Sequence, residues 1–553
     1  MFVRIKSTPN SPRKSVQIVA SVRKGNKVSQ KIIRHIGVAF DDEELEQLKL
    51  LAESIKEKLQ LNGQISLFPP EKVYSKNKKA VNNKYKRSDY NVNLKDLEEE
   101  QRLVCGIHDV YGALFDDFGY ARVFNNPARQ KSLVDIFKNV VMARIANPVS
   151  KRASVDMLEE DFGICLDLHR VYRMMDKLDD KAIERLNDIT YQKTLDIFAG
   201  KLDVVFIDAT TVYFESFEPD DLKDMGYSKD LKFNQPQVLL SLLVTKEGLP
   251  IAYKLFPGNT YEGHTLIPAL MQLRHKYNID KVIMVADSGL FNKNNISALE
   301  DNGFEYVVGA RLRNMSKSVQ RQILDKDGYK KIGRGYFVKE IDLANGQRLI
   351  VSYKTSRARK DAFERDKAIR KLEGKLSKKK NVRNYLSNYG YKKYLMLDSE
   401  SNIAIDRKKV INDSQWDGLH GIITNSKQLS SESALSQYNE LWQVENAFRI
   451  TKHTLKVRPV FHWTASRIRA HFAICFCAYS LVKHLAYRVK LQYKNLSVEY
   501  IRNRLVKTQV SILFDKKRNM RYALPSKIHT DVKKIYSLLN VRAKLSPYII
   551  EKM

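Results

Sequence analysis

Three acids in this chain stand where a reaction could use them. FID, residues 206–208, closes an apolar run with Asp208, and VAD, residues 285–287, closes another with Asp287. A carboxylate at the end of a buried strand projects from the sheet edge where open α/β folds place their sites. Each Asp also has a plainer reading, as a helix cap or, for Asp287-Ser-Gly, as a turn in which Asp and Gly serve the backbone. The third acid is Glu445, in YNELWQVENAFRITKHTLKVRP, residues 438–459. Seven residues of α-helix turn through ~700°, so Tyr438, Glu445 and Lys452 are expected on one helix face, with Leu441, Phe448 and Arg449 close to that stripe. Taken alone, the stripe reads equally as an amphipathic helix with solvated Glu and Lys, its core filled by Leu441, Trp442 and Phe448.

Three converging carboxylates suit Mg²⁺ or Mn²⁺, because hard cations prefer oxygen ligands and keep positions open for water and phosphate. Two such ions, roughly 3.5–4 Å apart, stabilise both the entering and the departing oxygen of an in-line phosphoryl transfer. Around such a site Arg449 and Lys452 are expected to contact DNA phosphates and Tyr438 to donate a hydrogen bond to one.

The elements that must position these acids follow from periodicity. Apolar runs at 204–207, 238–245, 251–256, 282–286 and 306–310 predict strands, with helices at about 264–276 and 293–301. Three early strands joined by short turns, then strands alternating with helices, predict a mixed sheet with helices packed on it, the order of an RNase H-like core. Before it, alternation in VRIKS, SVQIVASVR and KVSQKIIRHIG predicts a basic β-ribbon, followed by a polar helix near 42–61. Pro69-Pro70 and KNKKAVNNKYKR mark a linker, and helical spacing from 98 to 200, with Lys151 and Arg152 among the helices, predicts a helical DNA-binding module. The expected plan is a ribbon plus helix (1–63), a basic linker (64–97) and a helical domain (98–200). A catalytic core in two parts (201–310 and 420–490) then surrounds a β-rich insertion (311–419), with a helical region at the end (491–553). The insertion carries strands at 348–354 and 393–398 and a highly charged helix at 358–380.

Composition narrows the partners. Over 553 residues, 96 Lys and Arg against 63 Asp and Glu give a formal net charge of +33, which points to a polyanion. Cysteines at 105, 165, 475 and 477 have no metal-finger spacing and read as reduced thiols of a cytoplasmic protein. The longest apolar stretch, FAICFCAYSLV at 472–482, is too short to span a bilayer, so no membrane role is expected.

The pattern around the last acid resembles the DDE transposases of bacterial insertion sequences, in particular those with a Tyr, Arg, Glu, Lys signature spaced Y-x2-R-x3-E-x6-K. Here it reads Tyr438, Leu441, Glu445, Lys452, with Trp442 matching the aromatic that usually follows the Arg and Leu441 standing in the Arg position. Arg449, one turn beyond Glu445, is placed to substitute. DATTVYFES (208–216), GYSKDLKFNQPQVLLSLLV (226–244), FPGNTYEGHTL (256–266), ADSGL (286–290) and RPVFHWTASRIRAHFAICFCAYSL (458–481) are similar to further segments of that family in the same order. The resemblance implies an RNase H-like core with Asp208, Asp287 and Glu445 as ligands of two Mg²⁺ or Mn²⁺ ions, and Tyr438, Trp442, Arg449 and Lys452 as DNA contacts. It implies hydrolysis at the ends of a mobile element, attack of the freed 3′-hydroxyl on target DNA, and a homodimer on paired inverted repeats at the bacterial nucleoid. Glu262 and His264 would lie near that site, in turn, packing or catalytic roles. Two alternatives stay open on the residues. A transposase-derived protein that binds DNA without cutting it would fit Leu441. A phosphoaspartate phosphatase with Asp208 as nucleophile wants an acid at 210, where this chain has Thr210.

Overall fold

A computed structural model describes residues 2–7, 14–24, 27–39, nine positions between 42 and 56, 90–198, 202, 204–214, 219–225, 235–260, 283–286, 293–343, 346–376, 393–397, 403–450, 455, 457, 460 and 462–550. The chain divides into two compact units, Met1–Gln272 with Gln443–Met553, and Leu273–Trp442.

The first unit opens with β1 (Phe2–Ser7), β2 (Lys14–Lys24) and β3 (Lys27–Ala39), an antiparallel sheet in that order, as the alternation predicts. Val16, Ile18 and Ile36 are fully buried in a cluster with Leu45, Leu48, Leu249 and Leu491, so the ribbon is seated on the body of the unit. The predicted linker falls mostly on 57–89, outside the described residues. At its far end β4 (Leu97–Val104) is a strand, LEEEQRLV, whose charge hides it from an apolar-run reading.

After short helical pieces at His108–Gly112 and Ala113–Phe118 come four longer helices, α1 (Lys131–Ala146), α2 (Lys151–Phe162), α3 (Leu168–Met175) and α4 (Asp180–Ile197). The starts of α2, α3 and α4 are set by side-chain caps. Ser150, Asp167 and Asp179 accept hydrogen bonds from the backbone N–H groups of Ala153, Arg170 and Ala182, each satisfying an otherwise orphaned donor. β5 (Val204–Tyr213), β6 (Gln237–Thr245) and β7 (Pro250–Pro257) form an antiparallel meander. Asn187 of α4 covers the β7 backbone, donating to the Tyr253 carbonyl at 3.1 Å and accepting from the Tyr253 N–H at 3.2 Å. That contact satisfies backbone groups which would otherwise be left bare.

The second unit is built on a six-stranded mixed sheet. β8 (Ile283–Ala286), α5 (Lys293–Asp301) and β9 (Glu305–Ala310) make a parallel strand pair with a helix between them. After α6 (Lys317–Leu324) come β10 (Lys330–Gly333), β11 (Tyr336–Asp342), β12 (Arg348–Lys354) and the charged α7 (Thr355–Leu376). The strands β13 (Leu395–Leu397) and β14 (Ile403–Ile405) pair with each other, then α8 (Arg407–Ser414) leads into β15 (Leu419–Thr424) and α9 (Ser431–Asn439). Strand order is β10-β11-β12-β15-β9-β8. The segment expected as an insertion, 311–419, is rich in strands, of which β13 and β14 pair apart. Its strands β10 to β12 extend the sheet of β8 and β9 through β15, burying Leu349 and Val351 with Leu312, Ile323 and Ile341.

The chain returns to the first unit through α10 (Trp442–Arg449) and α11 (Ala465–Gln492). At ~1.5 Å per residue the 28 residues of α11 run ~42 Å. The stretch Ile468–Leu485 is almost wholly buried because α1, α3, α4 and β7 all pack on it, and an apolar helix without a polar face is what such a centre requires. The expected helical end, 491–553, needs correction. It holds α12 (Val498–Val506) and α13 (Thr530–Leu538), but also β16 (Gln509–Asp515), β17 (Met520–Pro525) and β18 (Tyr548–Ile550). These order as β18-β17-β16-β4, so a strand from before the core and a hairpin from after it complete one sheet. The helical domain at 98–200 and the closing region thus share a body. No described helix is long and apolar enough to cross a membrane, and all four cysteines are free thiols.

Candidate active site

Asp208 lies inside β5, not at its end: the strand runs five residues further, to Tyr213. The continuation ATTVY is rich in β-branched residues that suit a pleated, buried surface. Thr210, Thr211 and Val212 are buried and face Leu240, Leu239 and Val238 in register, while Asp208 itself stands opposite Leu242. The connection that leaves β5 is fastened at its base. Phe214 N–H donates to the Pro236 carbonyl at 2.8 Å, Asp224 and Gln237 bridge, and Asn259 Nδ2 donates to Asp224 Oδ2 at 2.6 Å. Asn259 belongs to the FPGNTYEGHTL segment that begins at the end of β7. Asp287, Glu262 and His264 lie outside the described residues; β8 closes at Ala286, immediately before Asp287, with Met284 and Val285 buried.

Glu445 sits in α10, whose Ala447 and Phe448 are buried while Trp442 keeps 52% of its surface exposed. Arg449 is exposed, and its Nη2 donates to Asn446 Oδ1 at 2.9 Å. The helix is held close to the β6–β7 turn. Gly248 there takes φ +73°, and a Cβ on it would lie 3.0 Å from Gln443 Oε1 and 3.1 Å from Lys483 Nζ. Gln443 is two residues before Glu445, and Lys483, from α11, has its pKa pushed down to about 8 by burial. The Tyr479 hydroxyl fixes the same turn by donating to the Gly248 carbonyl at 3.1 Å.

The predicted single helix through Tyr438 and Glu445 is two helices. α9 ends at Asn439, the Leu441 N–H returns to the Tyr438 carbonyl at 3.1 Å, and α10 begins at Trp442. The predicted heptad thus spans a helix break at Glu440 and Leu441. Lys452 lies outside the described residues. Tyr438 is half-buried with its ring 5.1 Å from that of His420. His420 in turn lines an open cleft of about 370 Å³ with Arg311, Arg313, Arg357 and Trp416. Sequence reasoning missed this cationic cleft, whose only local signal is the RLR run at 311–313. Arg313 is engaged there by Asp413 at 2.6 Å and by the Trp416 ring at 5.9 Å.

Where α2 meets α11 lies a second group of basic side chains. Lys151 is buried with Nζ 3.3 Å from His471 Nδ1; burial, then the neighbouring Arg144, pushes its pKa down to about 7. His471 is also held well below the ordinary imidazole value by burial, and it contacts the Val457 carbonyl at 3.1 Å. Val457 lies between α10 and α11, so this cluster braces the segment that leaves the Glu445 helix. Among the described residues no three His, Cys, Asp or Glu side chains converge as metal ligands.

Residues 199–481 match the model of the transposase DDE domain, and residues 3–63 match that of the IS1634 family transposase N-terminal domain. Among solved structures, the chain is similar to the piggyBac transposase synaptic complex with hairpin DNA, at 9% identity over 84% of this chain and 77% of that one, with a TM-score of 0.35. It is similar also to the Mos1 transposase paired-end complex with left transposon end, at 15% identity over 29% of this chain and 53% of that one, with a TM-score of 0.14. No curated protein matches the chain.

Proposed function

The chain belongs to the DDE transposase family, and from that premise we propose that Asp208, Asp287 and Glu445 are the three carboxylates of its catalytic centre. It is a DNA transposase of an insertion sequence, a metal-dependent enzyme that cleaves DNA and transfers strands. One observation carries the assignment of the acids. Within the matched span, one acid lies in β5, the next directly follows β8, and the third lies in α10. An antiparallel meander followed by a parallel strand pair with a helix between is also the element order of an RNase H-like core.

A set of three carboxylates offers only hard oxygen donors, which fits two Mg²⁺ or Mn²⁺ ions. Bound there, such ions would polarise phosphate oxygens and make a nucleophile of water or of a sugar hydroxyl. The chain's own part is to hold and aim the DNA. Arg449 and Lys452 contact phosphates, the Tyr438 hydroxyl donates to one, and the exposed Trp442 ring packs on the strand. In hydrolysis, water adds to the phosphorus at the element's end and the bond to the 3′-oxygen breaks, leaving a 3′-hydroxyl. In transfer, that hydroxyl attacks a target phosphodiester, so one P–O bond forms as another breaks. The protein works as a homodimer that pairs two inverted repeats on the nucleoid, its basic regions before residue 200 binding the ends. Cleavage at repeat ends that requires a divalent ion and each of the three acids tests this reading. Unchanged cleavage after replacement of any one acid would remove that acid from the centre.

A further inference from the structure

We propose that α2 and α3 form a helix-turn-helix whose second helix reads base edges in the major groove of duplex DNA. The inference rests on the transposase reading and names the element that gives it sequence preference. α2 ends where Gly163 takes φ +67°, a left-handed conformation open to glycine at little cost. The Gly163 and Ile164 N–H groups return to the Glu159 and Leu158 carbonyls at 3.2 and 2.8 Å, reversing the chain. Asp167 then caps α3, accepting from the Arg170 N–H at 3.0 Å. Two helices joined by a short glycine-containing turn are the supersecondary unit that many duplex-reading proteins use.

α3 divides cleanly by face. Val171, Met174 and Met175 are fully buried among the helices packed on it. His169, Arg170 and Arg173 are exposed on the opposite side. Eight residues span ~12 Å, about the width of the major groove. A basic face with only a structural role is commonly matched by neighbouring acids. Nearby arginines are matched: Arg467 with Asp176 and Arg469 with Asp180. Arg173 and His169, by contrast, have no hydrogen-bond or ion-pair partner among the described residues, and Arg170 is held in place by donating to Ser132 Oγ at 2.6 Å. The helix is also rigidly mounted, since Arg467 grips Asp176 at its end and stacks over Tyr172 at 4.8 Å. Arginine presents a planar fork that pairs bidentately with guanine O6 and N7, and histidine offers a donor or acceptor to the same edges. Arg152, exposed in the first turn of α2, and Lys177, just beyond α3, are placed to contact phosphates on either side.

The test uses the full chain and a fluorescein-labelled duplex of the inverted repeat that flanks its gene, with a scrambled duplex of equal length and composition. Anisotropy titrations are run at several salt concentrations, alongside metal-dependent cleavage of the repeat and far-UV circular dichroism of each variant. Arg173→Ala is expected to lose roughly 5- to 150-fold in affinity for the repeat and little for the scrambled duplex. Arg173→Lys keeps the charge but not the fork, so it should retain the salt slope and lose the discrimination. Arg152→Ala should weaken both duplexes alike. Folded Arg173→Ala and His169→Ala variants that discriminate and cleave as the wild type does would overturn the role of α3 and leave the transposase reading standing. A wild-type protein that neither binds nor cleaves the repeat would overturn both.

Discussion

Arg467 donates from Nε and Nη2 to the two carboxylate oxygens of Asp176, at 2.8 and 3.0 Å, and its guanidinium stacks over the ring of Tyr172 at 4.8 Å. One side chain from the first turn of α11 thus fixes the end of α3 by a fork and by a ring face. The hydrogen bond from Arg467 holds the Asp176 carboxyl below its ordinary pKa. Its contribution is therefore full above the ordinary carboxylate range and is lost as pH falls through the lowered value.

Arg467→Ala should cost about 1 kcal/mol in urea unfolding at pH 7, a modest figure because the ion pair is largely exposed and the stacking supplies part of it. The difference from wild type should shrink on acidification, leaving the stacking share. An unchanged difference at a pH where Asp176 is protonated would show that the fork contributes nothing.

The buried Lys151–His471 contact predicts a pH dependence of stability. In the unfolded chain Lys151 keeps its proton to about pH 10.4, whereas in the fold it releases it near 7. Between those values the unfolded state binds more protons, so stability should rise with pH from about 7 upward. His462, pushed down to about 3 by burial, works in the same direction at lower pH, between about 3 and its ordinary value. Melting curves across pH 6–10 should rise for wild type and flatten for Lys151→Met. Parallel curves would remove Lys151 as the source.

Gly248→Ala should destabilise by about 1–2 kcal/mol, because a left-handed φ penalises any Cβ. The added methyl also meets the ends of the Gln443 and Lys483 side chains, which must shift, and Gln443 belongs to the helix that carries Glu445. Cleavage should therefore fall by more than the lost stability accounts for when assayed well below the melting temperature. A variant that melts early yet cleaves at the wild-type rate would uncouple the turn from Glu445.

What could be read from the sequence depended on how local the signal was. Strands β5, β6 and β12 and helix α5 announce themselves by apolar runs or periodicity, and they stand where those patterns predict. β4 does not, because LEEEQRLV becomes a strand only by pairing with β16, some 400 residues later, and no local pattern encodes such a partner. The heptad through Tyr438 and Glu445 misled for the converse reason. It continues through Glu440 and Leu441, where neither proline nor glycine marks the break, and the chain turns there regardless. Asp208 was legible as an acid on a buried strand, but not its place inside the strand, since the Thr residues that prolong β5 read as polar until Leu239 and Leu240 are found opposite them.

Divalent ions should stabilise the protein by linkage. Mg²⁺ at a hundred times its dissociation constant adds about 2.7 kcal/mol if it binds the fold alone. The rise in melting temperature should be smaller in Asp287→Ala than in wild type. Equal rises would place the bound ion elsewhere.

The most direct measurement is cleavage of a supercoiled plasmid carrying the flanking inverted repeats by wild type, Asp287→Ala and Glu445→Gln, in Mg²⁺, in Mn²⁺ and in EDTA. Wild type should cut at the repeat ends in either metal and not in EDTA. Both variants should bind the repeats and lose roughly three orders of magnitude in rate, about 4 kcal/mol of transition-state stabilisation. Cleavage by Asp287→Ala at the wild-type rate, or by wild type in EDTA, would contradict a metal-dependent centre built on these acids.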